Sequence, residues 1–70
     1  MTPRAMGQRI RRLRKAKGWS QYVLAREAGI SREHIRRLES GTSDPTLGML
    51  TKLARALGVT LVDLVKLTGG

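Results

Sequence analysis

The sequence contains no cysteine, so neither a disulfide nor a thiolate metal site can hold it together. That excludes a disulfide-stapled secreted scaffold and fits a reducing, cytoplasmic setting. No apolar run approaches the roughly 20 residues that a membrane span needs. The Arg-rich start, residues 1–18, lacks the apolar stretch of a signal peptide, so no membrane partner is expected. Reactive chemistry is equally sparse. There is one histidine, the five carboxylates are spread thinly, and no glycine-rich phosphate loop or nucleophile–base pair occurs. No enzymatic activity, cofactor, metal or small-molecule ligand is expected on that basis. β-Branched residues are scattered and nothing alternates for long, which argues against strands.

Acidic residues are few beside the basic ones: 5 against 14 in 70 residues, a net charge of +9. The imbalance lies in one half. Residues 1–37 hold eleven basic side chains and two acids, whereas residues 38–70 hold three of each. An excess so placed points to a polyanionic partner, although a solubilising surface has the same composition. A chain this short forms one domain and buries only about 60% of its unfolded surface, so its stability margin is thin.

Four glycines, Gly18, Gly29, Gly41 and Gly58, are each followed by a hydroxyl residue, Ser20, Ser31, Thr46 and Thr60. Glycine suits the left-handed position just past a helix end. Serine or threonine suits the next helix start, where its oxygen accepts from a free backbone N–H. These stop–start pairs predict five helices, over about 6–17, 21–28, 32–40, 47–57 and 61–67. The expected inward residues are Met6, Ile10 and Leu13; Leu24, Ala25 and Ala28; Ile35 and Leu38; then Leu47, Leu50, Ala54 and Leu57. Thr60 and Asp63 match a capping box with Asp in place of Glu. Residues 6–67 thus read as a single all-α domain, a compact five-helix bundle, between a flexible arm (1–5) and a frayed end (68–70).

The second and third helices are short, marginal alone, and joined by Ala28-Gly29-Ile30-Ser31. Ala25 permits close approach, Gly29 permits a tight turn, Ile30 covers the turn, and Ile35 anchors the second helix. Together they specify a helix-turn-helix. Around this unit lie R-I-R-R-L-R-K-A-K-G-W-S-Q at 9–21, L-A-R-E-A-G-I-S at 24–31, I-R-R-L-E-S-G at 35–41 and P-T-L-G-M-L-T-K-L-A-R-A-L-G-V at 45–59. In these stretches the chain resembles the lambda-repressor-like, Cro-type helix-turn-helix family, with departures at Trp19, where an aliphatic residue is usual, and at Gly48. The resemblance implies a five-helix bundle that binds operator DNA, usually as a homodimer, and acts as a transcriptional regulator such as a phage repressor or a restriction–modification controller.

In such proteins the second helix of the unit enters the major groove. With Ile35 and Leu38 facing the core, Glu33, Arg36, Arg37 and Ser40 fall on the far side, and Arg32 faces outward on the first turn. Arginine can donate twice to guanine, and glutamate can accept from the cytosine amino group. Arg32, Glu33, Arg36 and Arg37 are therefore the expected base readers, with Ser31 capping the helix and reaching a phosphate or thymine edge. The plainer alternative is a Glu33–Arg37 surface pair at i, i+4. His34 is expected nearer the core edge, in packing or at a phosphate rather than on a metal. The resemblance assigns Gln21 to a phosphate and the loop Ser40, Thr42 and Ser43 to a second phosphate clamp. Some basic residues of the first helix, among Arg9, Arg11, Arg12, Lys15 and Lys17, should also reach phosphate, with Arg11 the named candidate.

Arg14 follows Ile10 by four and Glu39 follows Ile35 by four, so both border inward stripes and need a partner. They are expected to pair with each other, as the corresponding residues of the family do. The last helix is apolar nearly all round. Leu61, Val62, Val65 and Leu67 exceed what one core stripe needs, which points to a two-fold dimer unless the small core uses them all. Two other functions fit less well. A membrane-active cationic peptide would need a wider apolar face than the first helix has. An antitoxin or bridging factor, binding a protein or RNA through the same fold, shares every feature above.

Overall fold

Five hydroxyl side chains start five helices. In the computed structural model, which describes residues 2–65, these are α1 (Pro3–Ala16), α2 (Gln21–Ala28), α3 (Arg32–Ser40), α4 (Leu47–Leu57) and α5 (Leu61–Val65), with no strand among them. Thr2, Ser20, Ser31, Thr46 and Thr60 each accept from the backbone N–H three residues on, at 3.0–3.1 Å. Each supplies an acceptor to a donor that the helix itself leaves unpaired.

The four glycines end the first four helices in left-handed backbone, with φ from 69° to 79°. At each, the residue after the glycine donates its N–H to a carbonyl five residues back: Trp19 to Arg14, Ile30 to Ala25, Thr42 to Arg37, and Val59 to Ala54, at 3.0–3.2 Å. This closure normally brings an apolar residue back onto the helix. Trp19, Ile30 and Val59 do so, packed against the core; Thr42, past α3, is polar and exposed.

Two expectations change. The first helix starts at Pro3, so residues 2–5, expected in a flexible arm, belong to a capped helix. Proline is favoured at the first helical position because its missing N–H is not needed there, and Thr2 before it supplies the cap. On α4, Leu47 is 69% exposed and Leu53 is fully buried in its place. At about 100° per residue, Leu53 and Leu47 flank Leu50 by about 60° on opposite sides. Ala54, seven residues on and nearly in line with Leu47, is also buried, so Leu47 is exposed by its place in the first turn of α4 rather than by the direction it faces. Residues 66–70, with the expected end of the last helix and the frayed end, lie outside the described residues.

Ile10, Leu24, Ile35, Leu38, Leu53 and Leu64 form the fully buried centre, bordered by Met6, Ala25, Ala28, Ala54 and Leu57. α2 packs on α3 and α4, α4 packs on α5, and α1 crosses both α3 and α5. The α1–α3 crossing is close at Gly7. A Cβ there would overlap the Leu38 carbonyl oxygen and stand 2.9 Å from that of Glu39. Gly41 likewise faces Arg4, whose Cα would lie 2.9 Å from an added Cβ. The start of α1 is thereby set against the end of α3.

Candidate nucleic-acid interface

α3 is held from behind and open in front. Ile35 and Leu38 are sunk in the core, and Glu39 beside them is buried with Arg14 of α1. Arg14 donates from Nε to Glu39 Oε2 at 2.7 Å and from Nη2 to Glu39 Oε1 at 2.9 Å. Its Nη1 donates to the Trp19 carbonyl at 2.7 Å. Gln21, first residue of α2, adds a bond from Nε2 to Glu39 Oε1 at 3.2 Å. One carboxylate thus joins α1, α2 and α3, and no buried side-chain polar atom among the described residues lacks a partner. The Gln21 amide nitrogen carries a second hydrogen besides the one given to Glu39.

The opposite face of α3 presents Arg32, Glu33, Arg36, Arg37 and Ser40 to solvent. His34 is exposed too, contrary to its expected place at the core edge. It sits in the first turn, where its backbone N–H and its Nδ1 both meet Ser31 Oγ, at 3.1 and 3.3 Å. Glu33 is the centre of this face. Arg36 donates from Nε to Glu33 Oε1 at 3.0 Å and from Nη2 to Oε2 at 2.6 Å, and Arg37 Nε donates to Oε2 at 3.2 Å. The bond from Arg36 holds the Glu33 carboxyl down at about 2, from an ordinary 4.5; the Arg36 charge and the bond from Arg37 pull the same way, against some loss of hydration. The Arg36 guanidinium is raised in turn by its bond to Glu33. The sequence suggested Glu33 with Arg37; Arg36, one residue nearer, makes the shorter contacts.

The far end of α3 is closed by hydroxyls. Ser40 Oγ and Thr42 Oγ1 both donate to the Arg37 carbonyl, at 3.0 and 3.3 Å, and lie 3.0 Å from each other. Ser43 follows, half-buried. Both Ser40 and Thr42 therefore serve the helix end in the free protein, and a phosphate there would compete with that role. Arg11 is exposed on α1.

Arg9 has a different place from its basic neighbours. Its Nε and Nη2 donate to the Asp63 carbonyl at 3.0 and 2.7 Å, fastening α1 to α5 across 54 residues. On α5, Leu64 fills the core, Leu61 is half-buried, Val62 is 70% exposed and Val65 is 36% exposed. Val65 borders an open groove of about 270 Å³ with Thr2, Pro3, Met6, Asp44 and Pro45. Leu67 lies outside the described residues.

A helix-turn-helix family model matches residues 10–64. The chain belongs to the helix-turn-helix family. Within it, the chain is similar to y4dJ of Sinorhizobium fredii, an uncharacterized transcriptional regulator of this type. The two are 40% identical over 60 residues, which cover 86% of this chain and 78% of that protein. Several other curated relatives are longer, and the chain spans only 28% to 56% of their length. Among solved structures, it resembles the restriction-modification controller protein C.AhdI from Aeromonas hydrophila, with a TM-score of 0.86 and 39% identity over 89% of this chain and 94% of that one. It also resembles SinR, a master regulator for biofilm formation solved in complex with DNA, with a TM-score of 0.83 and 32% identity over 87% of this chain and 98% of that one. The all-α, five-helix fold and the Cro-type resemblance read from residues 9–59 agree with these helix-turn-helix relatives.

Proposed function

We propose that this chain is a transcriptional regulator that binds duplex DNA sequence-specifically, with α3 in the major groove. The observation that carries the reading is the two-sided character of α3. Its inner face is fixed by Ile35, Leu38 and the Glu39–Arg14 pair, while Arg32, Glu33, Arg36 and Arg37 stand together on the outer face. A rigid helix bearing guanidinium forks suits base edges, where each good two-point contact discriminates by about 1–3 kcal/mol. The DNA-bound SinR relative supports the same use of the fold. Phosphate contacts are assigned to Gln21, Ser31 and Arg11, and to Ser40, Thr42 and Ser43 past α3; they set register and affinity.

The protein acts in the cytoplasm as a homodimer on a palindromic operator, joined through α5, where Val62 and Val65 are exposed apolar side chains. Selection of bound sequences from a random duplex library tests this reading. The expected outcome is a palindrome whose half-sites lie about one helical turn apart. The log of the affinity should fall with log salt at a slope of about −0.9 per phosphate neutralised. Binding without sequence preference, or preference for RNA or a protein partner, overturns it.

A further inference from the structure

We propose that Glu33 does not read a base itself but braces Arg36, so that Arg36 reads a guanine through the far edge of its guanidinium. This rests on the DNA-binding reading above and narrows it to one operator position. A guanidinium has five N–H donors on two usable edges, one formed by Nε with Nη2 and the other by Nη1 with Nη2. Glu33 occupies the first edge with both carboxylate oxygens, at 3.0 and 2.6 Å. Among the described residues no hydrogen bond is made by the second edge, and its two parallel hydrogens match the guanine O6 and N7 acceptors.

Glu33 is correspondingly ill placed to read cytosine. Three hydrogen bonds already fill most of its roughly four lone-pair sites. Turning toward a base would separate it from two cations at once. Arg36, by contrast, loses rotamer freedom before it meets DNA. A fork held in place binds with less ordering cost than a free side chain. The side chains of Glu33 and Arg36 are 52% and 59% exposed, so neither supports the fold from within.

The test is duplex-library selection with the wild type, Arg36→Ala, Arg37→Ala and Glu33→Gln, each first checked for an unchanged melting curve. Arg36→Ala should abolish preference at one position, and that position should be guanine in the wild-type operator. Glu33→Gln should keep guanine there but weaken the preference by roughly tenfold, with any further change confined to a position that Arg37→Ala also alters, because Arg37 shares the same carboxylate. The inference is overturned if Glu33→Gln changes the preferred base at a position that both Arg36→Ala and Arg37→Ala leave alone, because Glu33 then reads a base directly. It is equally overturned if Glu33→Gln changes nothing, or if the Arg36 position is not guanine. A wild-type protein that selects no sequence defeats the DNA-binding reading itself, a result distinct from all of these.

Discussion

Arg14 meets both carboxylate oxygens of Glu39 at 2.7 and 2.9 Å in the interior between α1 and α3. Removing one partner leaves the other charge buried without compensation, a loss of about 3–5 kcal/mol. Arg14→Ala should therefore melt far below the wild type in circular dichroism. An unchanged melting temperature would show that the pair carries no structural weight.

Two glycine-to-alanine changes within helices should act in opposite directions. At Gly7 the new Cβ would collide with the backbone of α3, which cannot move without shifting the helix. Overpacking of this kind costs about 1–3 kcal/mol. At Gly48 the nearest atom is Thr46 Oγ1 at 3.9 Å, ordinary contact. Alanine there should stabilise by about 0.5–1 kcal/mol, the difference in helix preference. Chemical denaturation of both variants beside the wild type measures the pair of signs.

The Glu33 carboxyl titrates at about 2 in the folded protein, below its ordinary 4.5. The Glu33–Arg36 contact is thus fully present above about pH 4.5 and is lost as the pH falls through about 2. Carboxyl carbon NMR should find Glu33 still ionised near pH 3 in a protein that remains folded. Arg36→Ala should move the midpoint up toward 4.5, and a midpoint indifferent to that change would mean that Arg36 is not the cause.

Neighbouring residues of α5 should separate folding from assembly. Val62 is 70% exposed, so Val62→Asp should leave the melting temperature of dilute protein nearly unchanged while weakening self-association in sedimentation. Leu64 is fully buried, and Leu64→Ala should cost about 2–5 kcal/mol of stability. If Val62→Asp assembles as the wild type does, the dimer surface lies elsewhere.

What the sequence reveals here is local chemistry. Glycine and hydroxyl pairs mark helix ends because each acts within a few residues, and all four left-handed glycines stand where those pairs put them. Arg14 and Glu39 were legible as partners because each charge borders an inward stripe on its own helix. The Thr2–Pro3 start is equally local, a cap followed by a first-turn proline, but the apolar stripe of Met6, Ile10 and Leu13 begins only at residue 6. Leu47 and Leu53 show the limit of periodicity. Both flank the same stripe, and only the packing of α2 and α5 along α4 decides which is buried. Gly7 and Arg9 depend on contacts with backbone carbonyls far along the chain, and no residue pattern announces a carbonyl.

The Arg9–Asp63 contact bears on how the molecule opens. A short helix is marginal alone in water, and α5 is docked on α1 and α4. Its attachment to α1 is a clasp between the two ends of the described chain. Separation there would also take Leu64 out of the buried centre, so release of α5 and opening of the core are coupled. If α5 joins two copies, pairing would shield that seam as well, and protein concentration would set how long each copy stays closed.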